Sequence, residues 1–411
     1  MPKLALHGGQ PVRTEPFPNW PMHDACEQKA LNEVLESGKW WYGEKVRAFE
    51  ERFAAYQDAR FGITVVNGTV ALQVALTAAG IGAGDEVIVP PYTFVATASA
   101  VLMVNAIPVF ADIDRDTLCI APERIREAIT EKTRGIVPVH FAGLPADMDA
   151  IQAIAKEHDL AVIEDACHAW GSEWKGRKVG AIGDMGCFSF QASKNITAAE
   201  GGIILTNDEA LADQCRSYTN CGRGKDSPWY EHYLLGGNYR LTEFQAALLL
   251  CQLERLDEHV TIRQRNGKRL NEGLAEVGGV EVHQEDPRSN RRSYHLYCFR
   301  FNAQAWDGVS RERFIEAVRA EGIPVSPGYP HPLYKNPLFQ RKGEGPKFCP
   351  LTCPYYGKKM DYTKVHCPNV ERVCGESLWL TQNVLLGTEA DMDDIVEGIG
   401  KVWEQREALR D

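Results

Sequence analysis

From Gly62 onward the chain alternates short apolar runs with segments of helical period. The apolar runs fall at 63–66, 86–89, 107–111, 135–140, 160–163, 186–190 and 203–205, and each predicts a buried strand. Helical patterns lie between most of them, at 69–79, 94–104, 122–129 and 148–158. This alternation predicts an α/β fold with a mainly parallel sheet covered on both faces. Two amphipathic helices, 24–37 and 44–56, precede it. Between them lies Gly38-Lys39-Trp40-Trp41-Tyr42-Gly43, aromatics bounded by glycines, which either line a pocket or pack as a loop on their own domain. A long helix is expected at 242–275, of a length that suits a connection between domains. Beyond Gly279 the texture changes to a strand at 294–301, a helix at 311–321, Pro-rich loops and a final helix at 390–408. That pattern predicts a smaller α+β domain, and the chain divides on this reading into 1–258 and 259–411.

Composition removes several functions. The 411 residues suffice for two domains, and 44% hydrophobic with 25% charged residues is ordinary for a soluble globular protein. A net charge of -11 without a basic cluster argues against a nucleic-acid partner. No stretch is long and apolar enough for a membrane span, and the segment from Met1 to Gly9 lacks the core of a signal peptide. The twelve cysteines are scattered, and Cys119, Cys187, Cys251 and Cys298 sit in apolar segments. They predict reduced thiols in a cytoplasmic protein, not a disulfide framework. Cys349, Cys353, His366, Cys367 and Cys374 cluster without the paired C-x2-C spacing, so no metal is expected.

In parallel sheets, ligands bind at the carboxyl ends of the strands. After the first strand comes Asn67-Gly68-Thr69, which either offers N–H groups and a hydroxyl to a phosphate or is a plain helix cap. After the second comes Pro90-Pro91-Tyr92-Thr93-Phe94, whose rings either stack on a flat ligand or pack in the core. The run Leu160-Ala161-Val162-Ile163 leads straight into Glu164-Asp165-Ala166-Cys167-His168. Two carboxylates at the end of a buried strand need a cationic partner, such as a protonated pyridine nitrogen; otherwise they are a helix cap with a solvated glutamate. Last comes Phe188-Ser189-Phe190-Gln191-Ala192-Ser193-Lys194-Asn195, in a tight connection between two strands. A lysine held there is partly desolvated, which lowers its pKa and frees a nucleophilic amine for a Schiff base. Each signal is modest alone. Together they agree on one cofactor, pyridoxal phosphate. The Gly224-Lys225 run lacks phosphate-loop spacing, and no strand–GxGxxG–helix unit occurs.

Ile163-Glu164-Asp165-Ala166-Cys167-His168-Ala169, the Lys194 segment with Glu200-Gly201-Gly202, and Gly237-Asn238-Tyr239-Arg240 closely resemble the sugar and cyclitol aminotransferases of the DegT/DnrJ/EryC1/StrS family. The resemblance runs from Gly8-Gly9 to the last helix. It implies the fold type I pyridoxal 5′-phosphate architecture and a homodimer with active sites at the subunit boundary. Carried over by position, Lys194 holds the cofactor and moves the substrate proton, and Asp165 pairs with the pyridine nitrogen. His168 stands beside the ring and Phe94 stacks on it, while Gly68, Thr69 and Ser189 bind the phosphate, with Asn238 of the partner subunit. The implied reaction takes an amino group from glutamine or glutamate and delivers it to a keto sugar or keto cyclitol, inosose-like or nucleotide-linked. The dehydratase branch of the family replaces the lysine with histidine, so Lys194 argues against it. The flanks Gly8-Gly9-Gln10-Pro11-Val12-Arg13 and His366-Cys367-Pro368-Asn369 look more like members acting on inososes or aminohydroxybenzoate precursors than the nucleotide-sugar enzymes. Gly328-Tyr329-Pro330-His331-Pro332-Leu333-Tyr334 is the expected acceptor-site segment, with His331, Tyr334 and Tyr42 as candidate contacts. A same-family dehydratase or aminohydroxybenzoate-type synthase and a non-catalytic binding homologue are the alternatives; the binder has no need of both Lys194 and Asp165.

Overall fold

A computed structural model describes residues 3–284, 286–340 and 350–410. The chain begins with α1 (Ala25–Ser37), capped by Asp24 and Glu27, and α2 (Glu44–Tyr56). It then enters a seven-stranded sheet. The elements follow as β1 (Phe61–Val65), α3 (Gly68–Ala78), β2 (Glu86–Val89), α4 (Ala96–Met103), β3 (Ile107–Phe110), α5 (Pro122–Ala128), β4 (Thr133–Ile136), α6 (Met148–His158) and β5 (Ala161–Asp165). A short hairpin, β6 (Glu173–Trp174) and β7 (Arg177–Lys178), precedes β8 (Met185–Ser189), β9 (Gly202–Thr206) and α7 (Glu209–Thr219).

The strand order is β1-β9-β8-β5-β4-β2-β3. Neighbours from β3 to β8 pair in parallel, whereas β9 is antiparallel to both β8 and β1. The connections explain the difference. A parallel return needs a crossover, which helices supply up to β5 and the longer 166–184 segment with its β6–β7 hairpin supplies to β8; β8 passes to β9 through the short 190–201 segment and turns back. That connection carries Lys194. Gly202 is required there, because a Cβ would come within 2.6 Å of the Asn67 carbonyl. The turn after β1 is thus pressed against the start of β9.

α8 (Glu243–Ala275) runs for 33 residues from a Thr242–Gln245 capping box. It serves two cores: Ala246, Leu249, Leu256 and Val260 pack under the large sheet, and Leu270 and Leu274 pack in a second cluster. That cluster lies against β10 (Val280–Val282), β12 (Leu296–Phe301), β13 (Ser326–Pro327) and β14 (Ser377–Thr381), an antiparallel sheet of order β10-β12-β14-β13, with β11 (Ser289–Arg291) instead pairing to β6. α9 (Arg311–Ala320) and α12 (Glu389–Glu404) add Phe314, Val318, Ile395 and Ile399 to the same cluster. α10 (Pro337–Gln340) and α11 (Pro368–Glu376) instead contribute Phe339, Val370 and Val373 to the large core. Cys353, Cys367 and Cys374 are buried there too, and Cys349 lies outside the described residues.

One expectation is corrected. Cys251 on α8 is joined to Cys26 on α1 by a disulfide. The two helices pack side by side and bring the Cα atoms within 6.0 Å, inside the bridging range. Residues 225 positions apart carried no sign of this in the sequence.

Candidate active site

The ends of β1, β2, β5 and β8 all point the same way, and the segments that follow them line one cavity of about 510 Å³. It receives Gly68 and Thr69 from the first end and Phe94 from the second. Asp165 and His168 come from the third, and Ser189 and Lys194 from the fourth.

Asn67 caps α3 through Oδ1, which accepts from the Val70 N–H at 2.9 Å. The Gly68 and Thr69 N–H groups lie in the first turn and have no intrahelical acceptor. Gly68 is pressed against Ser189: a Cβ there would sit 2.7 Å from Cβ of Ser189 and 3.1 Å from Sγ of Cys167. Two hydroxyls and a helix N-terminus therefore converge, the donor set an anion needs.

Asp165 ends β5 and is 5% exposed. Its Oδ2 accepts from the Thr97 hydroxyl at 2.7 Å and its Oδ1 from the Cys167 N–H at 3.3 Å. Thr97 is itself 2.9 Å from Thr93 Oγ1. Lys194 is half-buried, and burial pushes its ammonium below the ordinary lysine value, only partly offset by Cys167 and Asp165. Phe94 is exposed at 58%, an apolar face open to the cavity. His168 is buried, and its Nδ1 accepts from the Ala142 N–H at 3.3 Å.

The neighbouring Glu164 faces the other side of β5. It is fully buried and accepts from four donors: His140 Nε2 at 2.8 Å and the N–H groups of Gly180, Ile182 and Gly183 at 2.7, 2.8 and 2.6 Å. Burial alone raises its pKa, but the bonds from His140 and this backbone outweigh it and hold the carboxyl below its ordinary value. The solvated-glutamate alternative is thereby replaced by a saturated buried carboxylate.

Other candidates stand elsewhere. Tyr42 donates to Glu50 at 2.9 Å. Tyr334 is buried against Phe110 and donates to Glu371 at 2.6 Å. His331 is half-buried, and neither it nor Asn238, exposed on the 220–240 loop, lines the cavity of this chain. From the expected acceptor segment it is Tyr329 that reaches the cavity, edge-on to Trp379 at 4.9 Å. His295 also lines it. Sequence reasoning passed over Thr97, His140, His295 and Trp379. Thr97 and His140 sit in runs read only for hydrophobicity, and the other two are placed by long-range packing.

A lysine, a buried carboxylate and a helix-terminus anion site around one cavity, at the strand ends of a mostly parallel sheet, define a pyridoxal phosphate enzyme. The chain belongs to the DegT/DnrJ/EryC1/StrS aminotransferase family, whose model matches residues 21–353. It is 44% identical over 419 residues, 99% of both chains, to a protein of Streptoalloteichus tenebrarius provisionally named L-glutamine:3-amino-2,3-dideoxy-scyllo-inosose aminotransferase. It is 38% identical over 429 residues, again 99% of both, to the L-glutamine:2-deoxy-scyllo-inosose aminotransferase of the same organism. Among solved structures, that of 3-amino-5-hydroxybenzoic acid synthase superposes with a TM-score of 0.85 at 33% identity, covering 96% of this chain and 100% of the other. The protein is thus a pyridoxal 5′-phosphate-dependent aminotransferase. No helix of the described residues is long and apolar enough to cross a membrane.

Proposed function

We propose that this protein transfers the amino group of glutamine, or of glutamate, to the ketone of a polyhydroxylated cyclohexanone of the inosose class, in aminocyclitol biosynthesis. The observation that carries this reading is the meeting of Lys194, Asp165, His168 and the α3 N-terminus in one cavity. The substrate class is supported by the names of the relatives at 44% and 38% identity.

Pyridoxal 5′-phosphate, when bound, supplies an aldehyde and an electron-withdrawing ring. The residues present fit it. The N–H groups of Gly68 and Thr69 and the hydroxyls of Thr69 and Ser189 would hold its phosphate, and Phe94 would cover the ring. Asp165, oriented by Thr97 and the Cys167 N–H, would hold the proton of the ring nitrogen. His168 would stand beside the ring as a neutral donor through Nε2. Lys194 would carry the cofactor at rest. Released as an amine, it takes the Cα proton of the amino donor, and in the return half it delivers a proton to the acceptor carbon. Its lowered pKa keeps more of that amine neutral.

The same reading makes the protein a cytoplasmic homodimer, with Asn238 of the partner subunit completing the phosphate site. Supporting this, Asn238 shares a loop with Trp229, Tyr230 and Leu235, exposed at 74%, 79% and 100%. Apolar surface of that kind marks an interaction site. The free buried thiols Cys187, Cys215 and Cys298 suit a reducing compartment, while the Cys26–Cys251 bridge runs against it.

The test is an absorption spectrum. A near-visible band that disappears on adding glutamine and returns on adding an inosose, with formation of a ring amine, is expected. Release of water without a new amine, or turnover only with a nucleotide-linked keto sugar, would overturn the reading.

A further inference from the structure

Two imidazoles share the cavity, and groups with a single possible role set their tautomers. His168 and His295 are 6% and 7% exposed, with ring centroids 4.3 Å apart. The Ala142 N–H can only donate, so Nδ1 of His168 is bare and its hydrogen sits on Nε2. At His295 the order reverses. Asn195 lies between Nδ1 of His295 and the backbone carbonyl of Ser293. A carbonyl only accepts, so the Asn195 amide nitrogen faces Ser293 at 2.9 Å and its oxygen faces His295 at 3.1 Å. Nδ1 of His295 must then carry the hydrogen, and Nε2 is a lone pair. Neither Nε2 has a partner among the described residues. Burial, with the nearby Lys194 charge, holds both rings well below the ordinary histidine pKa, so both stay neutral and the tautomers persist.

The two rings come from different parts of the chain. His168 follows β5, beside the Asp165 carboxylate. His295 enters with Leu296, Tyr329 and Trp379 from the C-terminal segment, which supplies neither the lysine, the carboxylate nor the helix terminus. Its lone pair is an acceptor left over once the cofactor groups are accounted for.

We propose that His295 is a specificity-determining residue: its Nε2 accepts a hydrogen bond from a ring hydroxyl of the acceptor. The proposal rests on the acceptor class argued above and narrows it to rings that present an O–H to this wall. A ring that is bare carbon at that position leaves a buried acceptor unpaired, which costs about 10- to 100-fold in affinity.

The experiment is calorimetric titration of the holoenzyme with scyllo-inositol, a ring polyol without the ketone, and with deoxy-inositols. It is run on the wild type and on His295→Phe, which keeps a ring against His168 and removes the lone pair. The wild type should bind one deoxy-inositol about 10- to 100-fold more weakly than scyllo-inositol, and the variant should lose that difference. In kinetics the acceptor half-reaction of the variant should fall about 10- to 100-fold further than its glutamine half-reaction. Equal weakening of all the polyols by the substitution, or equal losses in both halves, would assign His295 a structural role and overturn the proposal. If the variant does not fold, the wild-type panel alone decides, and no hydroxyl worth more than about threefold sinks it. A wild type that neither binds scyllo-inositol nor aminates an inosose, but does aminate a nucleotide-linked keto sugar, is a different failure: it removes the acceptor class and this inference with it.

Discussion

Glu164 and Asp165 are adjacent carboxylates at the end of one strand, and the pleat sends them to opposite faces. Glu164 meets four protein donors and no solvent. Asp165 meets Thr97, the Cys167 N–H and the Cys167 thiol, a weak donor, and borders the cavity. A carboxylate offers roughly four acceptor positions. The one that the protein fills is a fastener: through His140 and the 180–183 backbone it clamps the loop against the strand, and His140 Nδ1 in turn accepts from the Ala146 N–H at 3.1 Å. The one that the protein leaves partly unfilled is the one with capacity for a ligand. Residue type does not separate the two roles; the number of lone pairs already taken does.

The strongest way to sharpen this contrast begins on the cavity side. Lys194→Ala should cost roughly 10⁴-fold in transamination and remove the near-visible band, with circular dichroism unchanged. Turnover close to wild type would take the lysine out of the chemistry. Asp165→Asn should follow, with a fall of about 10²- to 10³-fold, since the amide keeps the Thr97 contact but cannot balance a ring cation. Its melting temperature should move little, because the site loses charge and not packing. The mildest effect on rate is expected from Glu164→Gln. Here stability should suffer, by about 3 kcal/mol, because an amide NH2 meets donors that all require an acceptor. The sign of its pH dependence follows from the depressed carboxyl. Its stabilisation is complete above the ordinary glutamate value of 4.5 and is lost as pH falls below it, so the gap between wild type and variant should narrow in acid melts. A variant as stable as wild type but slow in catalysis would exchange the roles assigned to the two carboxylates.

Much of this was legible in the chain itself. Periodicity alone placed β2 at 86–89 and α6 at 148–158 with the bounds observed, because buried strands and amphipathic helices are local patterns. The candidate cofactor groups were legible for a related reason: each lies within a few residues of a strand end, and the parallel sheet brings such ends together. The walls of the cavity are another matter. His295, Tyr329 and Trp379 reach it from the residue before β12, a loop and the β14 strand, while Thr97 on α4 stands behind Asp165, and nothing local distinguishes them from core residues. The same holds for Tyr334, whose hydroxyl is turned to Glu371, and for the pairing of Cys26 with Cys251. Alternation of hydrophobic and polar residues encodes which elements form and which face of each is buried, since those depend on neighbours along the chain. Which lone pairs stay unfilled, which ring closes the cavity and which thiols meet depend on distances between segments far apart in sequence, and those exist only after the two cores have packed around α8.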